Sequence, residues 1–83
     1  MKILYFAWLR ERIGYAEDTI DPPASVTTVA ALAEFLAGLS PAHARAFADR
    51  GMIKAALDQQ FVPPETPLGN AREVAFFPPF TGG

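Results

Sequence analysis

Few side chains in this 83-residue sequence have the type and spacing for chemistry, and the best-placed reactive group is not a side chain. The sequence closes with Phe76-Phe77-Pro78-Pro79-Phe80-Thr81-Gly82-Gly83. Pro78 and Pro79 stiffen the exit from an aromatic pair, because each ring fixes its φ and removes an amide donor. The stretch from Pro78 to Gly83 reaches at most ~20 Å. Gly82 and Gly83 have no side chain, so they can thread a narrow channel and take almost any backbone angle. The reactive group is then the α-carboxyl of Gly83. Such a carboxyl has a pKa of about 3.3–3.7, so at neutral pH it is an anion and a poor electrophile. It needs a partner to join it to a leaving group, most simply AMP drawn from ATP. A sulfur nucleophile that displaces AMP leaves a thiocarboxylate on Gly83, with sulfur held ready for transfer.

The remaining sequence offers little competing chemistry. There are no cysteines, so no disulfide and no Cys-based metal site is expected. His43, the one histidine, falls on a polar helix position with no evident Asp or Cys partner in the sequence. No Ser-His-Asp set, phosphate-binding loop or metal cluster is legible. Glu17, Asp18 and Asp21 read as a solvated edge. The net charge is −2, and the seven Lys and Arg residues are scattered, unlike the basic stripe of a nucleic-acid binder. The opening run "MKILYFAWLRER" meets charge too soon, and lacks the small-residue cleavage site, to be a secretion signal. No stretch approaches the ~20 apolar residues of a membrane span. The expectation is a cytoplasmic protein with no resident cofactor, no nucleic-acid partner and no membrane partner.

The elements that must carry the tail follow from local pattern. Residues 2–8, "KILYFAW", form a continuous apolar run expected to be a buried central strand. "RERIG" reads as a turn and residues 17–20 as a second strand, ended by Pro22 and Pro23. Val29, Leu32, Ala33 and Leu36 make one apolar helical stripe, with Ser25, Thr27 or Thr28 as N-cap and Gly38 at the end. Ser40-Pro41 opens a second, shorter helix that stops at Gly51. Residues 52–58, 60–63 and 73–77 read as strands, the last ended by Pro78. This order predicts an α+β fold of the β-grasp (ubiquitin-like) type. It has a mixed sheet of about five strands, one main helix and one short helix. The domain would span 1–77 and a flexible Gly-Gly carrier tail 78–83.

In "EVAFFPPFTGG" (73–83), and more weakly in "FAWLRE" (6–11), Thr28-Val29…Leu32 and Pro67-Leu68, the chain resembles the MoaD family of ubiquitin-like sulfur carriers. That family supplies the small subunit of molybdopterin synthase, and the resemblance runs over nearly the whole length. It implies that an activating enzyme adenylates Gly83 with ATP and that a sulfur donor converts it to a thiocarboxylate. The tail (Phe80, Thr81, Gly82) then enters the large synthase subunit. There sulfur passes to cyclic pyranopterin monophosphate to make the molybdopterin dithiolene. The chain would be a cosubstrate rather than a catalyst, in a heterotetramer of two small subunits on a large-subunit dimer. Phe77, Pro78, Pro79 and Arg10 are assigned by the same resemblance to the partner interface, and Phe76 to the core. Trp8 is left between core and interface. Phe80 departs from the family, which commonly has a smaller apolar residue there.

Three other readings share the fold. One keeps the carrier chemistry but serves thiamine thiazole or cysteine synthesis. One is an interaction module with an inert tail. One is a ubiquitin-like modifier joined to lysines.

Overall fold

A computed structural model describes residues 1–79; Phe80, Thr81, Gly82 and Gly83, the expected threading and reactive end, lie outside the described residues. In chain order the elements are β1 (Lys2–Tyr5), α1 (Trp8–Ile13), β2 (Glu17–Thr19), α2 (Val29–Ala37), α3 (Pro41–Ala46), a 3-10 turn (Arg50–Met52), β3 (Lys54–Leu57), β4 (Gln60–Val62) and β5 (Glu73–Phe77). The five strands form one mixed sheet in the order β2-β1-β5-β3-β4. The first and last strands lie side by side at its centre and run parallel, and every other pairing is antiparallel. This is the β-grasp arrangement read from the sequence.

The helices form where their caps and apolar spacing allow. Thr28 caps α2 by accepting the Ala31 amide on its hydroxyl at 3.1 Å. Val29, Leu32, Ala33 and Leu36 are the buried stripe of that helix. Ser40 caps α3 in the same way, and Pro41 follows at the first helical position, where a missing amide proton is harmless. Gly38 ends α2.

Several boundaries differ from the sequence reading, and the short helix expected to run on to Gly51 ends at Ala46, capped by Phe47. The first strand stops at Tyr5 rather than running to Trp8, and "RERIG" is not a turn but the end of an extra helix, α1. Leu9 and Ile13, one turn apart, are the buried residues of α1, and Gly14 closes it in the left-handed conformation at φ 101°. Six residues are too few for periodicity to stand out beside the adjacent strand-like run. The strand expected at 52–58 begins at Lys54, because Arg50–Met52 coil into a 3-10 turn first.

Register decides what each sheet face carries. Ile3 pairs with Val74, Tyr5 with Phe76, and Ala55 with Phe76. These residues share one face, because side chains alternate along a strand. That face meets Leu9, Leu32, Leu36, Phe47 and Leu68 in the core. Phe76 is 1% exposed and packs edge-to-face on Phe47, with ring centroids 5.2 Å apart. The other face carries Leu4, Ala75, Ala56, Phe61 and Phe77, paired across neighbouring strands or one register step away.

Candidate functional site

Three of the four expected interface residues, Phe77, Pro78 and Pro79, meet at one end of this second face, and Arg10 does not join them. Phe77 ends β5, and Pro78 and Pro79 continue from it toward the tail. Phe6, Ala7, Ala56, Phe61 and Ala75 join them around a shallow apolar depression of about 570 Å³. A larger one, about 690 Å³, lies on the helix side between α2 and β3. The smaller one is lined by Phe77, Pro78 and Pro79, the last of the described residues.

Phe77 does not stand open to solvent. It is 9% exposed, because the ring of Phe61 lies over it at a centroid distance of 5.2 Å. Phe61 is the exposed member of the pair, at 76%, with Phe6 beside the same depression at 45%. Sequence reasoning missed Phe61. The signal was present in "QFVP": as the middle residue of a three-residue edge strand, Phe61 faces opposite to Gln60 and Val62. An exposed aromatic cluster on a small domain marks a contact surface.

Arg10 lies exposed on α1, and no described residue pairs with its guanidinium. Trp8, half-buried at the start of α1, packs against the core edge, and the Arg12 guanidinium stacks on its ring at 4.2 Å. The hairpin Leu57–Gln60 turns through Asp58 (φ 45°) and Gln59 (φ 72°), a tight two-residue loop of the type that matches strand twist. Asp58 Oδ1 accepts the Arg72 and Glu73 amides at 3.0 Å each, which fixes where β5 begins.

His43 and Asp18 are corrected by the structure. His43 is not on a polar surface: it is 4% exposed, and its Nε2 donates to Asp18 Oδ2 at 3.0 Å. Asp18 is not a solvated edge residue, whereas Glu17 and Asp21 are exposed. Asp18 pairs with Ile3 in the ladder, so its side chain takes the helix-covered face and meets α3. The same oxygen accepts the hydroxyls of Tyr5 at 2.8 Å and Tyr15 at 3.1 Å.

Ser40 completes a Ser-His-Asp chain that the sequence did not reveal, with Ser40 Oγ 2.8 Å from His43 Nδ1. The carboxylate can only accept, so Nε2 carries a proton. Ser40 Oγ bonds Nδ1, donating to it when the imidazole is neutral, while accepting the His43 amide, its duty as helix cap. Every member is satisfied, and the network pins α3 to the β2 edge.

Partial burial alone would raise the pKa of Asp18, but hydrogen bonds from His43, Tyr5 and Tyr15 outweigh it and hold the carboxyl below its ordinary value. Burial, then the bond to Asp18, pushes the Tyr5 hydroxyl well above its ordinary pKa, and Tyr15 moves in the same direction. A carboxylate lowered in the folded state contributes stability that is fully present above its unfolded pKa of ~3.9 and is lost as pH falls through the folded value. Thermal melts below about pH 4 are therefore expected to fall more steeply for the wild type than for Asp18→Asn. At pH 7, Asp18→Ala is expected to lose about 2 kcal/mol, because the buried Tyr5 and His43 donors are left without an acceptor. Equal acid slopes for wild type and Asp18→Asn would remove this assignment.

The full chain is 42% identical to the molybdopterin synthase sulfur carrier subunit of Escherichia coli, covering 99% of it. It is 37% identical over its full length to the protein of the same name in Haemophilus influenzae, again covering 99%. SAMP1 from Haloferax volcanii superposes with a TM-score of 0.75 at 28% identity, over 100% of this chain and 98% of that one. A putative molybdopterin converting factor subunit 1 from Pyrococcus furiosus shares the fold, with a TM-score of 0.72 at 24% identity over 95% of each chain. Residues 3–83 match the ThiS family, and the chain belongs to that family together with relatives named molybdopterin synthase sulfur carrier subunit.

Proposed function

We propose that this chain is the sulfur carrier of a molybdopterin synthase and that the α-carboxyl of Gly83 is the group that carries the sulfur. The observation that supports it most is the apolar face of Phe6, Ala7, Phe61, Phe77, Pro78 and Pro79 at the root of the Gly-Gly tail. A partner seated on that face holds the start of the tail, and the four residues beyond Pro79, at most ~14 Å when extended, deliver Gly83 into the partner's interior. In this reading the face docks first the activating enzyme and then the large synthase subunit. The chain binds no cofactor of its own, acts in the cytoplasm, and stands two to a large-subunit dimer.

The chemistry balances as follows. A Gly83 carboxylate oxygen attacks the α-phosphorus of ATP and pyrophosphate leaves. Hydrosulfide delivered by a donor attacks the acyl carbon, AMP leaves and the S–H proton is lost, giving the thiocarboxylate. Two such carriers supply the two sulfurs that turn cyclic pyranopterin monophosphate into the dithiolene. Phe80, Thr81 and Gly82 follow the path into the partner, and Arg10, exposed on α1, offers its cation to the docking partners.

Intact-mass measurement before and after thiol alkylation tests this reading, on protein with a free C-terminus supplied with ATP, a sulfur donor and the activating enzyme. The expected result is one sulfur in place of one oxygen and a single alkylation mapped to Gly83, since the chain has no cysteine to compete. A mass that stays unmodified would end the carrier reading in favour of the interaction module.

A further inference from the structure

The turn that launches α1 holds a residue in a conformation its type disfavours. Ala7 has φ 53° and ψ −130°. The Leu9 amide donates to the Phe6 carbonyl at 3.2 Å, closing a turn over Phe6–Leu9. These angles are those of a type II′ turn with Ala7 at its first central position, where glycine is favoured because a Cβ is crowded at positive φ. Such strain persists only where the surroundings fix it, and it gathers at functional sites. Here backbone bonds fix it: Phe6 donates to the Phe76 carbonyl at 3.1 Å, and Glu11 donates to the Ala7 carbonyl at 3.2 Å. Glycine could make every one of these bonds without the strain. Alanine adds its methyl group and a smaller unfolded-state entropy, and the second offsets only part of the strain.

That methyl fills no core. Ala7 is exposed, and it borders the apolar depression with Phe6, Phe61, Phe77 and Pro78 at the root of the tail. We propose that Ala7 is a docking residue for the large synthase subunit: the II′ turn presents its methyl on the apolar face, and the strain is tolerated because the contact lies outside this chain. This inference rests on the carrier reading above. It adds that the isolated protein is less stable than it could be at a position where only the complex benefits.

The test is Ala7→Gly, with the melting temperature measured on the chain alone and affinity for the large subunit measured by calorimetry. The melting temperature is expected to rise by about 5 °C as strain is released. Affinity is expected to fall about fourfold, the effect of one methyl left uncovered. A merely structural role would move both quantities together, so a fall in melting temperature, or unchanged affinity, would overturn the inference. If the wild type binds the large subunit and the variant binds equally well, the inference fails and the carrier reading stands. If the wild type does not bind it at all, the synthase reading fails and the inference goes with it.

Discussion

One glycine added after Gly83 is expected to abolish thiocarboxylate formation while leaving the melting temperature unchanged. The added residue preserves the chemistry of the end, since the terminal group is still a glycine carboxyl. It changes only position, by ~3.3–3.6 Å along an extended chain. Adenylation requires the carboxylate oxygen in line with the α-phosphorus, and a 1 Å misplacement can already cost about 10²-fold. A full residue should therefore reduce loading at least about 10³-fold. The fold has no stake in the change, because the buried core of the described residues lies between Ile3 and Phe77. Loading followed by intact mass, with melts on the same samples, checks both halves. Wild-type loading of the extended chain would mean that Gly83 is not read by position, and the in-line positioning argument would fail while the carrier chemistry stood.

Phe76→Ala is expected to destabilise the domain by about 3–5 kcal/mol, the range for truncating a buried aromatic in a packed core. Small domains hold only ~5–15 kcal/mol in all, so the melting temperature should drop by about 15 °C or more. The loss comes from the Phe47 edge contact and the packing under α2, which no neighbour can replace. Phe77→Ala, one residue on, removes a ring of the same size from the opposite face, where Phe61 is its cover. Its stability loss should be smaller, about 1–2 kcal/mol, because Phe61 can settle into part of the space. Its loss of affinity for the docking partner should be the larger of the two. Chemical denaturation of both variants, with partner titration on whichever stays folded, separates the roles. A larger stability loss at Phe77 than at Phe76 would reverse the assignment of faces.

Local rules determined much of this protein. Val29, Leu32, Ala33 and Leu36 announced α2 by spacing, and Thr28, Ser40 and Pro41 marked helix starts by capping chemistry that acts within three residues. Glu73–Phe77 read as a strand ended by Pro78. The order of elements was then enough for the β-grasp. Other features needed the tertiary structure. Helix α1 is a single short element whose support comes from Leu9 and Ile13 entering a core built by distant strands. His43 lies among Ala42, Ala44 and Arg45 and looked solvent-facing, but its partner Asp18 is 25 residues away and reaches it through the register of an edge strand. Phe61 became the exposed aromatic of the sheet's second face because β4 pairs with β3 in one register and not the next. Spacing, capping and proline geometry act over a few residues, so the chain states them directly. Which face a side chain takes, and which distant group it meets, depends on strand register and topology, and these exist only once the sheet has formed.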